Sequence, residues 1–320
     1  MAAMRIGKLS NEDLERLVLS KFHRIRPESM RAPAIGEDCA LLDMGNDYIV
    51  LSMDPITAAS PEALGKLSVH VNCNDAVCAG AEPVGLLVTL LVPPTFTKEG
   101  IGAIADSLHE ASAAIHVDIL GGHTEVTDAV TRPVTCSAVI ARRSRKGTLP
   151  DMQEGDEIIL TKWAALEGTT LLAATGKYAL TDEQKKHCMV LENMLSVVPE
   201  GRIALAHGAH SMHDVTEGGV LGAIWEMSYA AGKGICVDTA AIPILPVTKE
   251  ICRQADIDPL KLIGSGSLLI ACPNGESLIQ ALAAASIPAA IIGRCSGNAC
   301  TDQTGTVLPP PQADALYDAQ

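Results

Sequence analysis

Apolar and polar positions alternate in two distinct rhythms along this chain. Leu14, Leu17 and Val18 fall on one face of a predicted helix over Ser10 to Phe22, which Ser10 or Asn11 can cap. Beyond Pro33 the period shortens to that of strands. Cys39-Ala-Leu-Leu and Tyr48-Ile-Val-Leu-Ser flank the turn Asp43-Met-Gly-Asn-Asp and predict a hairpin. Long helices are expected over Pro61 to Cys78 and Lys98 to Ile115, with a fully apolar strand, Gly85 to Val92, between them. Val117 to Leu120 predicts a short strand ending in a turn at Gly121-Gly122, and Pro133 to Ala141 a further strand. Arg142 to Gly155 carries charges, Gly147 and Pro150, and resembles a linker. From Ile158 a second half begins. It includes a helix over Val220 to Ala230, strands over Ile235 to Asp238 and Ser267 to Ala271, and further helices. The C-terminal Pro309-Pro-Pro and the polar residues after it read as a tail with a short helix at its end.

The pattern predicts an α/β (α+β) protein of two domains, 1–150 and 151–320. A hydrophobic share of 48% with 19% charged residues is that of a core-forming chain, while aromatics supply only 2%. The core is therefore aliphatic, and stacking platforms for bases are scarce. A formal net charge of −14 argues against nucleic acid as a partner, and the densest basic run, Arg142-Arg-Ser-Arg-Lys146, reads as a solvated loop rather than a phosphate patch. Ten cysteines include no Cys-x-x-Cys pair, and Met1 to Asp13 lacks an apolar leader core. Reduced thiols, a cytoplasmic location and no membrane span follow as expectations. The longest apolar stretch, Val84 to Pro94, is too short to cross a bilayer.

Candidate chemistry concentrates where carboxylates adjoin glycine or a strand end. These places are Gly36-Glu-Asp38, Ser52-Met-Asp54, Asn72-Cys-Asn-Asp75, Gly121-Gly-His-Thr-Glu125 and His213-Asp-Val-Thr-Glu-Gly-Gly219. Such groups are hard oxygen donors of the kind magnesium takes, and magnesium often bridges nucleotide phosphates. Spacing alone leaves each of them equally open to a role in a turn. His207, His210 and His213 are three apart, which on a helix would make one face, but Gly208 interrupts it. His213 and His123, each beside a motif carboxylate, are candidates for proton transfer or phosphate contact. Gly218-Gly219 either bares a helix N-terminus to an anion or permits close packing.

In order and wording these clusters resemble the aminoimidazole ribonucleotide synthetase (PurM-like) superfamily. The resemblance rests on Gly36-Glu-Asp-Cys-Ala, Ser-Met-Asp54, Asn74-Asp-Ala-Val-Cys-Ala-Gly-Ala-Glu-Pro83, Gly121-Gly-His-Thr-Glu125, Glu167-Gly-Thr, His213-Asp-Val-Thr-Glu-Gly-Gly219 and Gly264-Ser-Gly266. Within the superfamily the chain is most similar to the branch around the hydrogenase-maturation factor HypE. The resemblance implies an N-terminal domain whose strands complete a β-barrel with a partner subunit, a homodimer, and a C-terminal α/β domain packed against it. It implies ATP and Mg²⁺ as cofactors, with Asp38, Asp54 and Asp75 as metal ligands. Gly36, Asp38, Lys66, Asn74, Gly121, Gly122 and Thr124 would lie at the nucleotide, and Asp214, Glu125 and His213 at the reacting centre. The implied reaction is ATP-dependent phosphorylation of an oxygen on a small amide-, carbamoyl- or carboxyl-type substrate. The alternative is a nucleotide-binding accessory dimer that meets another maturation protein. HypE ends in a cysteine that carries its carbamoyl group, whereas this sequence ends Tyr317-Asp-Ala-Gln320. The HypE reaction in its usual form, which needs a tethered thiol, is therefore not expected, and this departure favours the accessory alternative. Cys295 and Cys300, the nearest substitutes, are expected to be fixed in place.

Overall fold

The computed structural model describes residues 7, 9–35, 38–57, 59–145, 149, 151–311 and 314–319. Helix α1 (Asn11–Leu17) is capped by Ser10, whose side chain accepts from the Asp13 amide, yet none of its residues is buried. The expected hairpin is β1 (Ala40–Asp43) and β2 (Asp47–Ile56), paired antiparallel. Then come α2 (Pro61–Cys78), β3 (Glu82–Val92), α3 (Lys98–Ala114), β4 (Asp118–Val126) and β5 (Val134–Ser144). They complete a five-stranded sheet of order β1-β2-β5-β3-β4.

Helices α2 and α3 cover one face of this sheet. They approach closely because Gly65 has no side chain: a Cβ there would lie 2.6 Å from the Leu108 amide nitrogen. Leu64, Val69, Cys73, Leu86, Ile104 and Val139 fill the space between helices and sheet. The other face is open. Cross-strand pairing places Met53, Ala138, Leu87 and Gly121 in one row of it, and Met53 and Leu87 are exposed.

Two expectations are corrected here. Gly121-Gly122 is not a turn: β4 runs straight through both glycines at φ +147° and +150°, and a Cβ on Gly122 would sit 1.8 Å from the Val88 carbonyl oxygen. The pairing of β4 on β3 thus demands glycine, which sequence reading took for chain reversal. The basic run is not wholly a linker either, because β5 continues through Arg142 and Arg143 to Ser144.

The second half is built on a six-stranded sheet of order β11-β8-β10-β6-β9-β7. Its strands are β6 (Glu157–Thr161), β7 (Ser211–Asp214), β8 (Ile235–Val237), β9 (Leu268–Cys272), β10 (Ala289–Cys295) and β11 (Thr301–Asp302). Helices α4 (Leu166–Ala174), α5 (Asp182–Leu191), α6 (Val198–Ala206), α7 (Gly219–Ala231), α8 (Pro246–Ala255) and α9 (Gly275–Ala284) surround it, and α10 (Leu316–Ala319) ends the chain. Both faces are covered. Ile158 and Leu160 pack with Val220, Ile224 and Met227 of α7, while Ile159 packs oppositely with Ala204, Leu278 and Leu282. Strand β7 was not legible, since its four residues Ser-Met-His-Asp carry no apolar run; here Met212 and Asp214 point inward. It also separates the three histidines. His207 caps the end of α6, and His210 pairs with Asp156.

The two halves are joined along α2. A Cβ on Gly201 of α6 would lie 1.8 Å from Val77 Cγ1, so only glycine lets α6 lie this close. The Asn74 side chain bridges the halves, donating to the Leu195 carbonyl at 2.9 Å and accepting from the Val197 amide at 2.8 Å. Among the described residues no helix is long and apolar enough to cross a membrane.

Candidate active site

Helix α2 presents Ser68, Asn72 and Asp75 at spacings of four and three, a polar stripe along one side of a largely buried helix. That stripe faces the sheet. Ser68 shares a hydrogen bond with Thr135, Asn72 Oδ1 accepts from the Asp54 amide at 2.9 Å, and Ser52 donates to Asp75 Oδ2. Buried polar groups need partners, so this layer fixes Asp75 at the head of the stripe. There it meets Asp214, at the end of β7 in the second half.

Asp38, Asp75, His213 and Asp214 line one cavity of about 260 Å³ between the halves, together with Cys39, Cys78, Arg31, Arg143 and apolar Met212 and Met227. Asp75 and Asp214 are almost fully buried. Burial, then repulsion from Asp214, Asp54 and Asp38, raises the Asp75 carboxyl far above the usual range. Burial chiefly, with Asp38 and Asp54 adding and His213 opposing, pushes Asp214 up to about 6. Asp214 Oδ1 accepts a long 3.9 Å contact from the Cys78 thiol, and Oδ2 has no hydrogen-bond partner. The Cys39 and Cys78 thiols are driven upward by burial and by these carboxylates, so both stay protonated and unreactive. His213 Nδ1 lies 2.7 Å from its neighbour's carbonyl oxygen. A carbonyl only accepts, so Nδ1 carries the proton and Nε2 is turned toward Glu226 at 3.7 Å. Burial opposes charge on this ring, yet Asp38, Asp214 and Glu226 outweigh it and raise its pKa.

The donor set suits a hard divalent cation. Four carboxylates repel one another, and one buried oxygen lacks a partner, a deficit that a cation would relieve. Among the described residues, no three His, Cys, Asp or Glu side chains converge closely enough to hold an ion as they stand. Asp54 acts on this group electrostatically from β2 and is not part of the cavity lining.

The other residues singled out from sequence are placed elsewhere. Gly36 lies outside the described residues. Lys66 donates to Asn193 Oδ1 at 2.9 Å and lines two different cavities, and the Asn74 amide is committed to backbone on both sides. Gly121, Gly122, Thr124 and Glu125 lie on the exposed edge strand β4. Glu125 pairs with His123 at 3.4 Å, and both share a register row with open-face residues of β3, opposite α2. The bare helix N-terminus expected at Gly218-Gly219 is filled by the chain itself, because Gly218 donates to Asp314 Oδ2 at 2.7 Å. Gly219, at φ +63°, also answers the packing alternative, since a Cβ there would lie 2.6 Å from the Leu260 carbonyl. Sequence reading missed Arg31, Arg143, Cys39 and Cys78 at the cavity, and Glu226 beside His213. Arg143 carried a signal in the basic run, and Cys39 and Cys78 stand inside the motifs around Asp38 and Asp75.

Residues 36–142 match the AIR synthase related protein N-terminal domain, and residues 153–299 match the C-terminal domain of the same family. The carbamoyl dehydratase HypE of Rhodobacter capsulatus is 28% identical over 317 residues, covering 94% of this chain and 88% of its own. A HypE–HypF complex superposes with a TM-score of 0.77 at 21% identity, covering 93% of this chain and 99% of that one. AaThiL complexed with AMPPCP and TMP gives 0.76 at 15% identity, covering 96% and 98%. Matched in both halves and in the same order, the chain belongs to the AIR synthase related protein family.

Proposed function

We propose that this protein is an ATP- and Mg²⁺-dependent enzyme that phosphorylates an oxygen of a small amide-, carbamoyl- or carboxyl-type acceptor. The observation that carries the reading is Asp214: a buried carboxylate from the second half, with one oxygen unpartnered, facing Asp75 of the first half across a shared cavity. Asp38, Asp75 and Asp214 would hold the cation, with Asp54 adding charge behind them. When bound, the metal–nucleotide pair supplies a transferable phosphoryl group whose charge the cation screens.

The remaining work falls to the chain's own groups. Ser52 orients Asp75 through its hydroxyl. His213, locked by its Nδ1 bond, offers Nε2 as the atom that holds or moves the acceptor's proton. Met212, Met227, Ala230 and Ala231 form an apolar wall that keeps water from the transferring group. The relatives' names support this reading: a carbamoyl dehydratase, a selenide, water dikinase and a phosphoribosylformylglycinamidine cyclo-ligase. The assembly we propose is a homodimer formed through the open face of the five-stranded sheet, where Met53, Val84, Leu87 and Leu120 are exposed.

A second reading, a nucleotide-binding accessory dimer that meets another maturation protein, draws support from HypE having been seen in complex with HypF. Purified protein incubated with ATP, Mg²⁺ and a panel of carbamoyl, amide and carboxylate acceptors separates the two. Acceptor-dependent ADP release that disappears in Asp214→Asn supports the enzyme. Nucleotide binding with no release under any acceptor supports the accessory role, and absence of nucleotide binding removes both.

A further inference from the structure

The same cavity has an opposite pole. Arg143 shares its strand face with Ser137, Val139 and Ala141, because alternate residues of β5 point the same way, and that face packs on α2. Its Nη1 donates to the Ala79 carbonyl, just past the end of α2, at 2.8 Å. Its guanidinium lies 5.3 Å from the centre of the Tyr48 ring. These contacts fix the head group without using all of it: Nε is buried and has no partner. Arg31 lines the cavity beside it.

Distance separates this pole from the acidic one. Ser52, which donates to Asp75, pairs with Val139, and Arg143 lies four residues further along β5, about 13 Å of strand. At the acidic pole Asp38, Asp75 and Asp214 repel any anion not screened by a cation. At the other a held arginine lines the cavity, and its planar fork is the group that takes a carboxylate or phosphate through two parallel hydrogen bonds.

We propose that Arg143 is a substrate-recognition residue: it binds a second anionic group, a carboxylate or phosphate carried by the acceptor and distinct from the nucleotide's phosphates. The inference rests on the nucleotide reading of the acidic pole and narrows the acceptor to a small molecule with an anionic handle. The reacting oxygen and the handle would then be held at the two ends of one cavity. A lysine in place of Arg143 would keep the charge and lose the fork.

Calorimetry on the full chain tests this. Protein saturated with Mg²⁺ and AMPPCP is titrated with malonate in one arm and inorganic phosphate in the other, so that the tighter arm names the handle. Wild type binds one of the two. Arg143→Lys and Arg143→Gln lose about tenfold or more of that affinity, while AMPPCP affinity and the thermal midpoint stay unchanged. Equal anion affinity in wild type and both variants, or no anion binding by wild type, overturns the proposal. So does weakened AMPPCP binding in Arg143→Gln, which would assign the arginine to the nucleotide's own phosphates. Should wild type fail to bind AMPPCP, the nucleotide reading falls by that measurement alone. The same two titrations on nucleotide-free protein then decide Arg143: selective loss in the variants sustains it, and no difference removes it. If Arg143→Gln does not fold, Arg143→Lys decides.

Discussion

The two sheets of this protein solve opposite problems. The six-stranded sheet is covered on both sides, and its inner strand β9, Leu-Leu-Ile-Ala-Cys, is buried at every position. The five-stranded sheet is covered on one side only, and β4 is exposed throughout. Polar residues follow the same division. The covered face of the open sheet holds buried Ser52 and Thr135, each hydrogen-bonded to the polar stripe of α2, and buried Ser137, whose hydroxyl has no partner among the described residues, a costly arrangement. Such a layer makes sense as the support of a site. The closed sheet provides rigidity and one decisive carboxylate, Asp214, at the tip of its edge strand β7. The chemistry we propose sits where the polar layer of one half meets the edge of the other.

This contrast can be broken at the closed sheet first. Leu269→Ala, at a fully buried position, should cost about 2–5 kcal/mol of stability in chemical denaturation. A cost near zero would mean that β9 is not the fully packed strand it is described to be. Next in size is the junction. Asp214→Asn should weaken binding of Mg²⁺-AMPPCP by roughly a hundredfold in calorimetry, with little change of the far-ultraviolet dichroism spectrum. Retained affinity would take Asp214 out of the site.

The third effect is one of pH. The folded-state pKa of Asp214, about 6, lies above the ordinary carboxylate value of about 3.9, so folding favours its protonated form. Its contribution to stability is complete below the ordinary value and is lost as pH rises through about 6. Metal-free wild type should therefore lose thermal midpoint across this window more steeply than Asp214→Asn. Cation binding runs the other way, since protons compete for the same oxygens. Mg²⁺ affinity should fall as pH drops below about 6, by up to about tenfold per unit. Parallel melting curves for the two proteins would contradict this assignment. The smallest effect belongs to the open face, where Leu87→Ala should change monomer stability by less than about 0.5 kcal/mol. It should nonetheless lower the association measured by sedimentation, and unchanged association would move the dimer contact elsewhere.

Much of this contrast was readable in the sequence. Long helices such as α2 and α3 announced themselves by apolar spacing, while their caps at Ser60 and Thr97 emerge only in the structure. The continuous apolar run at Leu268 to Cys272 marks a strand buried on both faces. Asp38, Asp75, His213 and Asp214 were singled out from motifs, and the fold brings them to one cavity. What stayed hidden depends on contacts between distant segments. Nothing local says that Asn74 spends its amide on Leu195 and Val197, or that Asp314 fills the helix end at Gly218. Gly121 and Gly122 looked like a turn because glycine signals both reversal and close approach, and only the neighbouring strand distinguishes them. Arg143 was read with its charged neighbours as surface, although strand alternation turns it toward α2 while Arg142 stays exposed.

The central claim is that acidic groups distant in sequence share a divalent cation with a nucleotide in the cavity between the halves. Crystals grown with Mn²⁺ and AMPPCP, with data collected near the manganese edge, test it directly. Anomalous peaks bounded by Asp38, Asp75 and Asp214 and touching the nucleotide's phosphates are the predicted result. Well-occupied manganese and nucleotide bound elsewhere, with those carboxylates bare, would contradict it.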